Sequence, residues 1–196
     1  MRIAEVKRQS LETEIDIRLN LDGQGQGQIE TGLGFLDHML QAFCRHGLFD
    51  LEVKAKGDLW VDAHHLIEDT GMVLGQALHQ ALGQRRSIRR FGDAVIPMDE
   101  SLVAVSLDLS GRPYLVWAGA WPTDKPGGVE PNLWPEFMKA FTWKGGLNLH
   151  IDLVRGSNGH HAVEAAFKGL ARALRVAVEI DPRVIGVPST KGGLDT

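Results

Sequence analysis

The pattern His-His-x-x-Glu occurs twice in this 196-residue chain. It appears as His64, His65 and Glu68 in "VDAHHLIEDTGMVLGQAL" and as His160, His161 and Glu164 in "NGHHAVEAAFKGLARAL". Each copy opens a stretch with apolar residues at helical spacing. At an offset of 96, which puts His64 on His160, Leu74, Ala77, Leu78 and Ala81 also meet identical residues, Leu170, Ala173, Leu174 and Ala177. Two copies are too few to stack as a solenoid, so the pattern reads as duplication of a half-domain. Whatever the first half folds into, the second half has to repeat.

Hydrophobic periodicity fills in the halves. "TEIDIRLNLDG" alternates as a half-buried strand, "DGQGQGQ" turns the chain, and "QIETG" returns as a short partner strand. "FLDHMLQAFCRHG" has helical spacing and stops at Gly47, "FDLEVKAKGD" alternates again, and a second helix runs from Asp62 to about Leu82. In the second half "SLVAVSLDLSG" and "RPYLVWAG" read as strands around the turn "SGRP". The Pro/Gly-rich loop "WPTDKPGGVEPN" leads to a helix at "LWPEFMKAFTW", then to the strand "LNLHIDLV" and a helix from about Gly159 to Glu179. Each half therefore predicts strand, strand, helix, strand, helix. The expected architecture is α+β: residues 1–88 as the first repeat, and 89–196 as the second repeat plus a C-terminal tail. Two small sheets enclose the packed helices in one globular unit.

Bulk properties exclude several functions. Lys and Arg total 21 against 25 Asp and Glu, a formal net charge of −4, so bulk charge offers nothing to nucleic acid. An anionic ligand needs a local basic pocket. The single cysteine, Cys44, excludes an intramolecular disulfide. The start "MRIAEVKRQSLETEIDI" has no apolar signal-like run, and no stretch is long and apolar enough to span a bilayer. These features predict a cytoplasmic chain without membrane partners.

Neighbouring helical residues point about 100° apart, whereas residues three or four apart share a face. Glu68 can thus cluster with His64 or His65, but one ion would struggle to collect both histidines. Two ions taking one each fit better. Mixed imidazole and carboxylate ligands suit Mn, Fe or Zn rather than Mg or Ca, and without cysteine in either motif a thiolate zinc site is excluded. A single such motif is more often a solvated helix start, with its Glu favoured by the helix dipole. A matched pair favours metal.

Several segments resemble one family: "LDHMLQAFCRHGLFDL", "GDLWVDAHHLIEDTG", "RRFGDAVIPMDESL", "SGRPYL", "GHHAVEAAFKGLARAL" and "VPSTKGGL" are similar to imidazoleglycerol-phosphate dehydratase, in its single-function form. The resemblance covers nearly the whole chain. It implies a ribosomal protein S5 domain 2-like fold and a hydro-lyase of histidine biosynthesis that converts imidazole glycerol phosphate to imidazole acetol phosphate. The proton to be lost has no adjacent carbonyl. The family chemistry therefore ionises the substrate's imidazole between two Mn²⁺ ions per subunit, which gives a diazafulvene-like intermediate.

Carried over by motif, the resemblance implies metal ligands at His38, His64, His65, Glu68, His160, His161 and Glu164. Glu136 of "WPEFM" stands where many relatives carry a His, and under the duplication it is the rough counterpart of His38. Phosphate donors are implied at Arg90, Arg112, Lys168, Ser189 and Lys191, a set suited to a dianion. Periodicity alone does not separate Arg89 from Arg90, and Arg85 and Arg86 read as a solvated basic run. Glu12 matches the family's acid/base. Glu14 would share its side of an extended strand. Gln41 and His46 read as substrate contacts or helix-surface polars, and Asp99 as a group that orients a ligand or arginine, or as a turn cap. Relatives also imply a large homo-oligomer, a cubic 24-mer built from trimers with metal sites between subunits. Two other classes share parts of the pattern, a metal-storage or metal-sensing protein and a dinuclear phosphate-ester hydrolase. The separate anion set argues against the first, and the imidazole-rich ligand set against the second.

Overall fold

The computed structural model describes residues 1–190 and 192–194. The first half comprises β1 (Ile3–Gln9), β2 (Thr13–Asn20), β3 (Gly27–Glu30), α1 (Gly34–Gly47), β4 (Asp50–Gly57) and α2 (His64–Leu82). The second comprises β5 (Phe91–Met98), β6 (Ser101–Asp108), β7 (Tyr114–Ala118), a short 3-10 turn at Pro126–Gly128, α3 (Leu133–Gly145), β8 (Asn148–Arg155) and α4 (Gly159–Val178). The sheet orders repeat, β1-β2-β4-β3 and β5-β6-β8-β7.

Period-2 alternation makes each sheet two-sided. In the first, Ala4, Val6, Ile15, Ile17, Leu19, Leu51, Val53 and Ala55 point inward and are buried. The outer face carries charge, with directly opposed pairs Lys7–Asp16 at 2.6 Å and Arg18–Glu52 at 2.8 Å. In the second sheet, Val103, Val105, Leu107, Leu149, Ile151 and Leu153 point inward. The inward faces enclose the helices. α2 rests on β1 and β2 and packs against α3, while α4 rests on β5 and β6 and packs against α1. Trp134, Phe43, Phe49, Phe137, Phe141 and Phe167 fill the space between and are fully buried.

The α+β sandwich of the sequence reading stands, with three differences. Each half has an extra first strand. β1 sends only two small apolar side chains inward, and β5 is interrupted by Gly92 and Pro97, so neither shows the alternation of a half-buried strand. Gly92 is required because a Cβ there would collide with the Ala173 carbonyl of α4. Second, β3 and β7 are not partners of β2 and β6. They pair in parallel with β4 and β8, across helical crossovers. Third, Arg85 is fully buried, whereas Arg86 is exposed. Arg85 takes a φ of 55° and donates to the Gly145 carbonyl at 3.0 Å, with His79 Nδ1 at 3.1 Å.

The duplication is most regular through the helical crossover. Leu48 and Gly146, 98 positions apart, both end their helices in the left-handed region, with φ 56° and 64°. The same spacing aligns His38 of α1 with Glu136 of α3.

Where α2 crosses α3, a Cβ on Gly71 would lie 2.5 Å from the Phe137 carbonyl oxygen, and one on Gly75 would meet the Phe141 carbonyl. An alanine in mid-helix gains about 1 kcal/mol of propensity over glycine. Here it meets backbone that no rotamer change can move. Gly71→Ala and Gly75→Ala should each destabilise the protein by about 1–3 kcal/mol, the usual cost of overpacking, read as a lower unfolding midpoint in urea.

Candidate active site

The mouths of α2 and α4 carry the two motifs, and short polar contacts start both helices there. The Asp62 carboxylate accepts from the His64 N–H at 2.7 Å. The Asn158 side chain accepts from His161 N–H at 3.2 Å, and Asp124 accepts from Gly159 N–H at 2.9 Å. Each motif then divides as helical geometry requires. His64 and His65 ring centroids lie 6.1 Å apart with planes at 83°; His160 and His161 lie 6.2 Å apart at 80°.

On the second motif, His160 Nε2 lies 3.1 Å from Glu164 Oε2, one turn along α4. α1 brings His38 Nε2 to the same oxygen at 3.1 Å. These three ligand atoms lie within 4.8 Å of one another, the one such group of three among the described residues. Phe35 packs edge-on against His160, with centroids 5.0 Å apart. Lys168 holds the other Glu164 oxygen at 2.7 Å. Burial pushes the Glu164 carboxyl up, but the hydrogen bond and charge of Lys168, together with His38, outweigh it and leave the group below its ordinary value. Two imidazole nitrogens and an ionised carboxylate form a donor set that fits a divalent transition ion.

On the first motif, His64 Nε2 stands 3.5 Å from Glu68 Oε2. Glu136, the counterpart of His38, lies 3.3 Å from Lys139 instead. Among the described residues no contact joins Glu136 to His64 or Glu68. This half-site stays open within one chain.

The two outer histidines are held from behind. His65 Nδ1 lies 3.0 and 3.1 Å from the carboxylate oxygens of buried Asp58, and His161 Nδ1 lies 2.8 Å from Glu100 Oε2. These bonds raise both imidazoles above their ordinary pKa, and His161, with Ser101, pulls Glu100 down to about 2. The opposite nitrogens face further carboxylates: His65 Nε2 is 3.8 Å from Glu12, and His161 Nε2 is 3.7 Å from Asp99. Asp99 sits in the β5–β6 turn with φ 48°, so its turn position and its approach to His161 coincide.

Glu12 belongs to the β1–β2 turn. Thr13 and Arg8, on either side of that turn, both donate to Asp69 of α2, at 2.5 and 2.7 Å, which ties the hairpin to the helix carrying His65. Glu14 follows on β2 opposite Lys56, and the Glu12 carbonyl, accepting from the Asp58 N–H at 3.1 Å, continues the same ladder. Both glutamates are exposed on either side of buried Thr13, on one side of the extended chain as the alternation predicts. Asp58 and Glu100 escaped that reading. Glu100 had a usable signal, because it lies 88 positions after Glu12 in the equivalent hairpin.

Apart from these clusters, Arg90, Arg112, Pro188, Ser189, Thr190, Gly193 and Leu194 line a cavity of about 420 Å³. Asp108 grips Arg90 through a fork of 2.6 and 2.9 Å, and Arg90 in turn donates to the Pro188 carbonyl at 2.8 Å, fastening the tail. Arg89 pairs with Glu179 at 3.3 Å, so it is Arg90 that faces the cavity. Lys168 is not among the lining residues and stays on Glu164. Lys191 lies outside the described residues. Gln41 is exposed on α1. His46 is half-buried and lowered by burial and by the nearby cations Lys168 and Arg172.

The family model described as imidazoleglycerol-phosphate dehydratase matches residues 31–174. A relative of that name from Lachnoclostridium phytofermentans is 53% identical over 194 residues, covering 99% of each chain. One from Acetivibrio thermocellus is 54% identical over 97% of each. Among solved structures, imidazoleglycerol-phosphate dehydratase from Staphylococcus aureus superposes with a TM-score of 0.83 at 38% identity, covering 91% of this chain and 99% of that one. The Pyrococcus furiosus enzyme in complex with (S)-C348 gives 0.83 at 40% identity, covering 96% and 100%. Near-complete coverage of chain and fold together places this chain in the imidazoleglycerol-phosphate dehydratase family, the hydro-lyases of histidine biosynthesis.

Proposed function

We propose that the chain dehydrates imidazole glycerol phosphate to imidazole acetol phosphate with two divalent ions per subunit, Mn²⁺ by family usage, in sites completed between neighbouring subunits. The observation that carries the shared-site reading is the unequal completeness of the two motifs. His38 closes on His160 and Glu164 within the chain, whereas Glu136 leaves His64 and Glu68 without a third donor. A neighbouring copy supplies what is missing, as in a cubic 24-mer built from trimers. The single cysteine, Cys44, is buried, and no helix among the described residues is long and apolar enough to cross a membrane. We place the work of this enzyme in the cytoplasm.

When bound, the ions supply Lewis-acid stabilisation to the electron-rich imidazole ring. The chain's own residues do the rest. Arg90, Arg112 and Ser189 receive the phosphate, with Lys191 as a further cation. Lys168, carried over by the resemblance as a phosphate donor, instead holds the Glu164 carboxylate within the chain, and Gln41 and His46 serve as additional substrate contacts. Glu12, at the mouth of α2 with its carboxylate 3.8 Å from His65 Nε2, moves the proton between the substrate carbon and the departing hydroxyl. Water leaves, and the resulting enol becomes the ketone.

Incubation of Mn²⁺-loaded protein with imidazole glycerol phosphate should give a ketone without free phosphate. Phosphate release would point to an ester hydrolase, and no reaction to storage. Elemental analysis of active protein should find about two Mn²⁺ per subunit, as a paired ring-binding site requires. His64→Ala and His160→Ala should each abolish turnover. One ion per chain, or a wild-type rate in either variant, would refute the paired assignment.

Glu12→Gln should lower kcat by about 10²–10⁴-fold, the usual worth of a positioned acid/base, with KM nearly unchanged. Arg112→Ala should instead raise KM by about 10–100-fold, since a hydrogen bond to a charged group is worth about 1.5–3 kcal/mol. Steady-state kinetics separate the two effects.

Ligands that bind only the assembled state stabilise it. Light scattering should therefore show a large oligomer in Mn²⁺, smaller inactive species after chelation, and recovery when Mn²⁺ returns. A fully active monomer would defeat the shared site.

A further inference from the structure

The carboxylates behind the two outer histidines come from non-equivalent places in the duplication. In the first half, Asp58 follows directly on β4 and takes His65 Nδ1 at 3.0 Å. The 98-residue spacing that aligns β4 with β8 puts Gly156 at the equivalent position. A Cβ there would lie 2.5 Å from Ser101 Oγ, so a side chain at this position would have to displace the hydroxyl that donates to Glu100. The second half draws its carboxylate from the β5–β6 hairpin instead. Glu100 takes His161 Nδ1 at 2.8 Å through one oxygen. The other oxygen accepts from Ser101 Oγ at 2.8 Å and from the Asn158 and Ser157 N–H groups at 3.0 and 3.3 Å.

The hairpin equivalent of Glu100 in the first half is Glu12. Among the described residues no such bonds hold its carboxylate, whose near neighbour is His65 Nε2 at 3.8 Å. The same duplicated glutamate is thus tied down in one half and loose in the other. What differs is whether the strand end supplies a substitute.

We propose that Asp58 and Glu100 are the positioning residues of the two outer histidines, and that the twin hairpin glutamates have exchanged roles, Glu100 orienting a ring while Glu12 stays available for proton transfer. The proposal rests on the reading of the site given above. An ionised carboxylate only accepts, so each bond fixes the proton on Nδ1 and leaves the Nε2 lone pair facing outward. Without the carboxylate the ring loses its tautomer and its orientation, and outer partners of this kind are worth about 10–100-fold in metal affinity.

The test is Mn²⁺ binding to metal-free protein, followed by the electron paramagnetic resonance signal of free Mn²⁺, for wild type, Asp58→Asn, Glu100→Gln and Glu12→Gln. Asp58→Asn and Glu100→Gln should each weaken Mn²⁺ binding by about 10–100-fold. Glu12→Gln should leave it unchanged, although it occupies the position of Glu100 in the other half. Thermal unfolding of the metal-free variants separates positioning from a structural role, because positioning leaves it near wild type. ¹⁵N ring shifts of labelled histidine should show the Nδ1–H form of one ring lost in each orienting variant and retained in Glu12→Gln.

Unchanged affinity in Asp58→Asn and Glu100→Gln, or equal weakening in Glu12→Gln and Glu100→Gln, overturns the proposal. If buried Asp58→Asn does not fold, the exposed hairpin variants still decide it. Wild-type protein that binds no Mn²⁺ overturns the metal reading itself, an outcome that the variants are not needed to recognise.

Discussion

Adjacent side chains on a helix diverge by about 100°, and the rest of this site is built around that divergence. With His64 and His65 nearly perpendicular, and His160 and His161 likewise, each helix mouth serves two directions at once. The inner histidines turn toward their own glutamates one turn along. The outer ones turn toward the hairpins and are braced from behind by Asp58 and Glu100. A scaffold that presents ligands in two directions from a single point needs material on both sides. The helix layer between two sheets supplies it, since each motif helix has a sheet on one flank and another helix on the other.

The duplication has drifted where the chemistry differs and held where packing is tight. The crossover from helix to strand keeps one spacing, so His38 and Glu136 occupy matching places. Their surroundings do not match. His38 meets a Glu164 carboxylate whose other oxygen is held by Lys168, whereas Glu136 pairs with Lys139 on its own helix.

The sequence carried much of this. Helical periodicity located all four long helices, and the repeated motif marked the residues at their mouths. The edge strands β1 and β5 were hidden because a strand that buries two small residues, or that contains Gly92 and Pro97, shows little alternation. The parallel placement of β3 and β7 is a crossover property that neighbouring turns do not report. Arg85 looked like part of a solvated run because burial depends on the Gly145 carbonyl and His79, which are distant or unremarkable in sequence. Asp58 and Glu100 could be recognised only once strand ends and hairpins had been aligned separately, since one offset does not serve the whole duplication.

Among the described residues no strand of one sheet pairs with a strand of the other; the halves meet mainly through helix side chains. Each sheet can therefore close over modest chain separations, and such local contacts form early because little loop entropy opposes them. His38 and Glu164, 126 residues apart, meet across the seam between the halves. Their cluster therefore exists only where the two halves are docked, and either half folded alone would keep its sheet and lose the cluster.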